Sequence, residues 1–359
     1  MAMANTNKTP WWSWAGPAAA WLILILLVLV GSNALLATLA AATLIAAVFA
    51  AVHHAEIIAH RIGEPFGTLV LAMAVTIIEV ALIVSVMQGG GKANLARDTV
   101  FAAVMIVCNG IIGVCLLAGG MRHREQAFQL EGASAALAVL AAMTTLTMIL
   151  PNVTVATPGP VFSTPQLAFD GAVSLVLCGS FIFVQTVRHR DYFLPVGGGE
   201  DTHAEPPSNA TVTISVMLLL ASLVVVVGLA KALTPTIEAG IDAFGVPKAF
   251  VGVIIAALVL LPETLAAFRA ARANRLQTSL NLALGSVLAT VGLTIPAVAV
   301  VAITTGQRLE LGLDPKESVL LVLTLIVGIV TLGTGRTTVL QGIVHLVIFA
   351  VFLFFTILP

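Results

Sequence analysis

Charge is the scarcest ingredient of this sequence. Of its 359 residues only 9% are Asp, Glu, Lys or Arg, where soluble domains carry about 25%. The 16 basic and 17 acidic residues give a formal net charge of −1, and no block of like charges stands out. A nucleic-acid surface needs a clustered basic face, so that class of partner is excluded. Cysteine is rare as well. Cys108, Cys115 and Cys178 sit inside apolar runs without CxxC spacing, which removes a disulfide frame or zinc site and leaves small core hydrophobes. The HExxH pattern is missing too: the nearest approach, HHAEIIAHRIGE from His53, has other spacing, so a zinc protease is not supported.

What the chain does have is apolar length. Its composition is 59% hydrophobic and its mean hydropathy is +1.08, the mark of a polytopic membrane protein whose solvent is the lipid bilayer. A window of about 19 residues predicts spans near residues 17–30, 34–52, 66–88, 99–119, 133–150, 166–187, 212–232, 247–268, 278–305, 318–332 and 338–358, eleven in all. Lys8 ahead of the first run resembles the start of a signal peptide. Trp11, Trp12 and Trp14 read instead as an interfacial aromatic belt anchoring a first span. With a cytoplasmic amino terminus, ten Lys and Arg fall on the inside against six outside, which predicts a multi-pass inner-membrane protein in that orientation.

The longest polar stretch, RHRDYFLPVGGGEDTHAEPPSNAT from Arg188, has the Gly and Pro content of a flexible linker. It divides the chain. Residues 1–33 form an amino-terminal segment with a leading helix, 34–187 a first set of five spans, 188–211 the cytoplasmic linker, and 212–359 a second set of five. Five is odd, so corresponding spans cross in opposite senses, as two inverted repeats do. The expected fold is therefore all-α, with two inverted five-helix repeats plus one leading helix.

Two carboxylates interrupt this apolar chain at matched places. FGTLVLAMAVTIIEVALIVSVM, from Phe66, is apolar except for Glu79; FVGVIIAALVLLPETLAAF, from Phe250, carries Glu263 alone. A carboxylate near the middle of a spanning helix costs about 2.5 to 3.5 kcal/mol on insertion scales, so each calls for a use. Pro262 precedes the second glutamate and has no N–H to give the carbonyl of Leu258, which predicts a broken helix whose freed backbone lines a cavity. Two such carboxylates make a hard-oxygen metal site of charge minus two, matched to calcium or to two protons. Buried acids favour their neutral form, so proton and metal compete for the same oxygens.

At these residues the sequence resembles the cation/proton exchangers of the calcium/cation antiporter superfamily, most closely the bacterial Cha-type members, which exchange sodium, potassium or calcium for protons. The resemblance covers nearly the whole chain. Its carriers are VHHAEIIAHRIGEPFGTLVLAMAVTIIEVALI from Val52, MIVCNGIIGVCLLAGG from Met105, LLPETLAAFRAARANRLQTSLNLALGSVLAT from Leu260 and GTGRTTVLQGIVHL from Gly333. It implies that Glu79 and Glu263 are the essential glutamates of two alpha repeats, and that the facing helices supply Asn109 and the Gly285–Ser286 pair. Where the wider family has Asn three residues before each glutamate, this chain has Thr76 and Leu260, and a facing glutamine is replaced near Ala289, beside Thr290. Fewer amide oxygens suit sodium or potassium as well as calcium.

The expected function is thus secondary cation/proton antiport rather than enzyme catalysis, with no cofactor, with transported cations and protons as partners, and with a homo-oligomer left open. A cation channel with a carboxylate selectivity ring is the alternative. Among the remaining polar residues, His53, Glu56 and His60 share a helical face and read either as a cation-entry or pH-sensing cluster or as a satisfied helix end. Glu64 before Pro65 could guide cations or answer a helix dipole, and the dipole reading is preferred for Asp170. Arg336 and His345 could pair with acids elsewhere, and intramembrane His345 is a functional candidate by default. Gly110, Gly113, Gly285 and Gly292 read as points of close helix packing or of carbonyl approach to an ion.

Overall fold

The computed structural model describes residues 10–63, 66–88, 93–194, 207–243, 247 and 249–358. Among the described residues the chain is built of helices with one tiny antiparallel ladder. Its helices are α1 (Trp12–Val30), α2 (Ala34–Ile62), α3 (Phe66–Gln88), α4 (Leu95–Met105), α5 (Ile112–His123), α6 (Leu130–Thr144), α7 (Thr164–Phe183), α8 (Asn209–Ala243), α9 (Ala249–Arg272), α10 (Leu276–Ala289), α11 (Ile295–Thr305), α12 (Pro315–Leu332) and α13 (Val339–Ile357). A π-helical turn, Ile106–Ile111, joins α4 to α5, and another, Thr290–Thr294, joins α10 to α11. Each of these pairs therefore crosses as one helix. Ten helical segments among the described residues are long and apolar enough to span a bilayer, and α3, with 23 residues, is the remaining predicted crossing.

Two short pairings reveal the inversion. β1 (Gln126–Ala127), between the third and fourth crossings of the first half, pairs antiparallel with β2 (Arg336–Thr337), between the fourth and fifth crossings of the second. A bridge between Val161 and Glu310 does the reverse, joining the fourth-to-fifth connection of the first half to the third-to-fourth of the second. Paired connections lie on one side of the bilayer. Halves of like orientation would put each of these pairs on opposite sides, so the two halves cross in opposite senses.

The chain forms two compact units, each drawing on both halves. One comprises Met1–Val86 and Glu200–Ala243, hence α1, α2, most of α3, and α8; the other comprises Met87–Gly199 and Phe244–Pro359. Within the first, α2 packs on α1 and α8, and Trp21 Nε1 donates to the Ala221 carbonyl at 3.2 Å. Trp11, Trp12 and Trp14 are exposed, as an interfacial belt would be. Within the second, the linker begins with a short turn, Arg190–Phe193. Phe193 is buried there against the Phe181 ring, and its carbonyl accepts from Asn281 Nδ2 at 2.6 Å.

One local expectation needs correction. Pro262 lies inside an unbroken α9. A proline interior to a helix removes one backbone bond, but intramembrane packing and nearby hydroxyls can hold the helix together. Thr264 Oγ1, just beyond it, donates to the Leu260 carbonyl at 2.7 Å.

Candidate functional site

Glu263 is 7% exposed, near the middle of α9. The chain turns back at Asn274, whose φ of 60° is a left-handed conformation that asparagine tolerates, and α10 returns antiparallel beside α9. That hairpin brings Ser286 to Glu263. The serine hydroxyl donates a hydrogen bond to Glu263 Oε2, so two of the residues singled out in the sequence meet. Ser286 precedes the π-turn of the third crossing in its half, and Asn109 lies inside the matching π-turn of the other half. Single π-turns inside α-helices recur at functional sites because they release a carbonyl and rotate the side chains that follow.

Asn109 is fully buried, and its amide is held on both sides. Nδ2 donates to Thr324 Oγ1 at 2.8 Å, and Oδ1 lies 3.1 Å from His345 Nδ1. The polarity follows from the partners. Thr324 gives its own proton to the Leu320 carbonyl at 2.7 Å, so it accepts from Asn109 and the amide oxygen faces the histidine. Nδ1 must then carry the imidazole proton, leaving Nε2 to accept from Thr331 Oγ1 at 3.2 Å. His345 thus pairs with an amide and a hydroxyl rather than with an acid. Arg336 does meet one, Glu125, in an exposed pair at 3.8 Å.

Glu79 is 2% exposed and Thr76 is buried one turn before it on α3. These two belong to the first compact unit and Glu263 to the second. Leu258 is half-buried, one turn before Pro262. In the histidine cluster, His53 is half-buried with its ring 5.0 Å from that of Trp12, while Glu56 and His60 are exposed. Glu64 lies outside the described residues. The more deeply placed group is one that the helical-face pattern skips: His54 is fully buried, with Nε2 3.0 Å from the Ser13 carbonyl and Nδ1 3.3 Å from Ser215 Oγ.

The four glycines divide. A Cβ on Gly110 would touch the Phe349 ring at 3.4 Å, one on Gly113 would lie 3.0 Å from Leu346, and one on Gly292 would come within 2.6 Å of Cys178 Cβ, whereas one on Gly285 would meet nothing within 4 Å. Three are packing glycines. Asp170 also departs from its dipole reading: it is buried on α7, past the first turn. Thr324, Thr331 and Thr294 are buried polar residues that hydropathy did not single out. The signal that would have found them is a polar residue at matched depth in the third and fourth crossings.

Among the described residues, no group of three or more His, Cys, Asp or Glu is placed to hold a metal. What the site offers is a single carboxylate with a hydroxyl donor, beside a buried amide network. Such a group can bind a cation through oxygen or take up a proton.

The family described as "Sodium/calcium exchanger protein" matches residues 32–187 and 214–358. A protein of Sinorhizobium fredii described only as an ionic transporter, y4hA, is 51% identical over 99% of this chain and 98% of its own length. The sodium-potassium/proton antiporter ChaA of Escherichia coli is 35% identical over 92% of this chain and 93% of its own. Among solved structures, native YfkE superposes with a TM-score of 0.75 at 18% identity, covering 97% of this chain and 99% of that one. The H+/Ca2+ exchanger CAX does so with a TM-score of 0.72 at 15% identity, covering 95% and 87%.

Proposed function

The chain belongs to the sodium/calcium exchanger protein family, and from that premise we propose that it is an inner-membrane antiporter that moves a cation against protons through competition at Glu79 and Glu263. The observation that carries this reading is the intramembrane carboxylate of Glu263, buried and held by the Ser286 hydroxyl on the neighbouring helix. Facing low proton activity, the carboxylates are ionised and bind the cation. Facing high proton activity, they are neutralised and release it. Only loaded states cross, since an empty pair of bare charges is costly to carry through hydrocarbon. The proton gradient then drives cation export, each uncompensated charge being worth about 2.3 kcal/mol per 100 mV. Family membership sets aside the channel alternative.

Sodium and potassium fit the site better than calcium. Calcium takes about six to eight oxygens, while Thr76 and Leu260 supply one hydroxyl and no side-chain oxygen where amides would add more. The relative named as a sodium-potassium/proton antiporter matches at 35% identity, whereas a Ca(2+)/H(+) antiporter of Aphanothece halophytica matches at 22%. In this reading the halves at residues 34–187 and 212–359 act as the two repeats, and the excess of Lys and Arg on the linker side supports an amino terminus in the cytoplasm.

The test is proton efflux from acid-loaded inverted membrane vesicles, followed with a pH-sensitive dye, on separate addition of sodium, potassium and calcium. Wild type should collapse the gradient on sodium or potassium, while Glu79→Gln and Glu263→Gln insert normally and do not. Normal exchange by either variant would show that the carboxylate is not the exchanging group.

A further inference from the structure

A cavity of about 200 Å³ lies within the second compact unit, and neither Glu263 nor Ser286 lines it. One water needs about 10–15 Å³ by the same measure, so the space admits a group several waters in size. It sits where α4 and α12 begin and α13 ends. Glu310 N, just before α12, donates to the carbonyl of Ala93, just before α4, at 3.1 Å. Lys316 Nζ, in the first turn of α12, donates to the Phe355 carbonyl in the last turn of α13 at 3.3 Å. These two helices have 18 and 19 residues, enough at about 1.5 Å each to cross about 30 Å of hydrocarbon and no more. The cavity is therefore at headgroup depth.

Its polar wall carries Arg97, Asp98, Asp314, Lys316 and Glu317, two bases against three acids. Arg97 is already committed. It is 5% exposed, lies 2.8 Å from Asp98 Oδ1 and donates to the Gly312 carbonyl at 2.7 Å. That leaves Asp314 and Glu317 against Lys316. The two acids form the capping box of α12, but an ionised carboxylate has about four acceptor positions, and the cap uses few of them. The opposite wall is apolar: Leu320 and Phe352 are buried, Phe355 is 45% exposed, and the Phe101 and Phe352 rings meet edge to face at 5.6 Å. Val319 and Phe354 carry the same apolar character outward, at 67% and 55% exposed.

From this geometry we infer that the cavity seats the headgroup of a phospholipid bearing a primary ammonium group, phosphatidylethanolamine. The ammonium donates to Asp314 and Glu317, the phosphate meets Lys316, and the first methylenes of the chains lie along Phe355. The charge pattern selects this headgroup. An anionic lipid would bring its charge to a wall with an excess of acid, and a choline headgroup has no N–H to donate. A soluble zwitterion would leave the apolar wall in water.

The experiment is native mass spectrometry of the purified protein in detergent, titrated separately with dioleoyl phosphatidylethanolamine, phosphatidylcholine and phosphatidylglycerol. Wild type should bind its first phosphatidylethanolamine about tenfold more tightly than either other lipid, as a charge-assisted hydrogen bond at a half-exposed site allows. Asp314→Asn with Glu317→Gln keeps side chains that can cap α12 and should bring phosphatidylethanolamine down to the level of phosphatidylcholine. Lys316→Gln should weaken both of those lipids alike. Equal binding of the three lipids by wild type, or a preference that survives the double substitution, would overturn the inference. Should the double variant fail to fold by size-exclusion elution, Lys316→Gln decides, and unchanged affinity there overturns it too. Phosphoethanolamine without acyl chains should not compete at matched concentration. If it does, the occupant is a soluble zwitterion and the lipid assignment fails.

Discussion

His345 Nδ1 and Asn109 Oδ1 meet at 3.1 Å although 236 residues separate them in the chain. The contact ties the last helix of the second half to the π-turn of the first and fixes which way the Asn109 amide faces. Replacing His345 with Phe keeps the bulk but leaves that amide oxygen and the Thr331 hydroxyl without their partner. Leaving a buried polar group unsatisfied costs about 1–3 kcal/mol. Thermal unfolding of the purified protein should show a loss of that order, and His345→Gln should recover part of it.

Ser286→Ala removes the hydroxyl that donates to Glu263. A hydrogen bond to a charged group is worth about 1.5–3 kcal/mol, so the concentration of sodium or potassium giving half-maximal exchange should rise at least about tenfold. Ser286→Thr, which keeps a hydroxyl, should stay close to wild type. The vesicle assay measures both, and equal behaviour of the two variants would show that the hydroxyl is only packing.

Gly292→Ala and Gly285→Ala should part company. The first would press a Cβ to 2.6 Å from Cys178 Cβ, and the second meets nothing within 4 Å. Overpacking of this kind costs about 1–3 kcal/mol. Gly292→Ala should therefore lower yield and melting temperature, while Gly285→Ala should fold as wild type does, as fluorescence-detected size-exclusion chromatography would record.

Pro262→Ala returns an N–H to α9, one turn beyond the Leu258 carbonyl. An alanine inside a helix is favoured over proline by about 3 kcal/mol, so folding should hold or improve. If Leu258 offers its carbonyl to the cation, the new bond occupies it, and cation affinity should fall while stability does not. Parallel melting and transport measurements separate these effects.

Hydropathy made the spans legible because burial in lipid demands apolar length, a property of consecutive residues. The same logic exposed Glu79 and Glu263, since a lone acid in such a run stands out. The inversion followed from five spans on each side of one linker, and the Gln126–Thr337 pairing gave it physical form. The partners were another matter. That His54 rather than His53 enters the helix bundle, that Asn109 answers to His345, that Asp170 is buried past the first turn of α7, and that Gly292 packs tightly while Gly285 stands open all depend on which helix lies opposite. The sequence by itself determined how often the chain crosses and where its costly charges sit, because both are summed along the chain. Only the tertiary structure decided which oxygen meets which nitrogen, because hydrogen bonds act over about 3 Å between groups that the chain order leaves far apart.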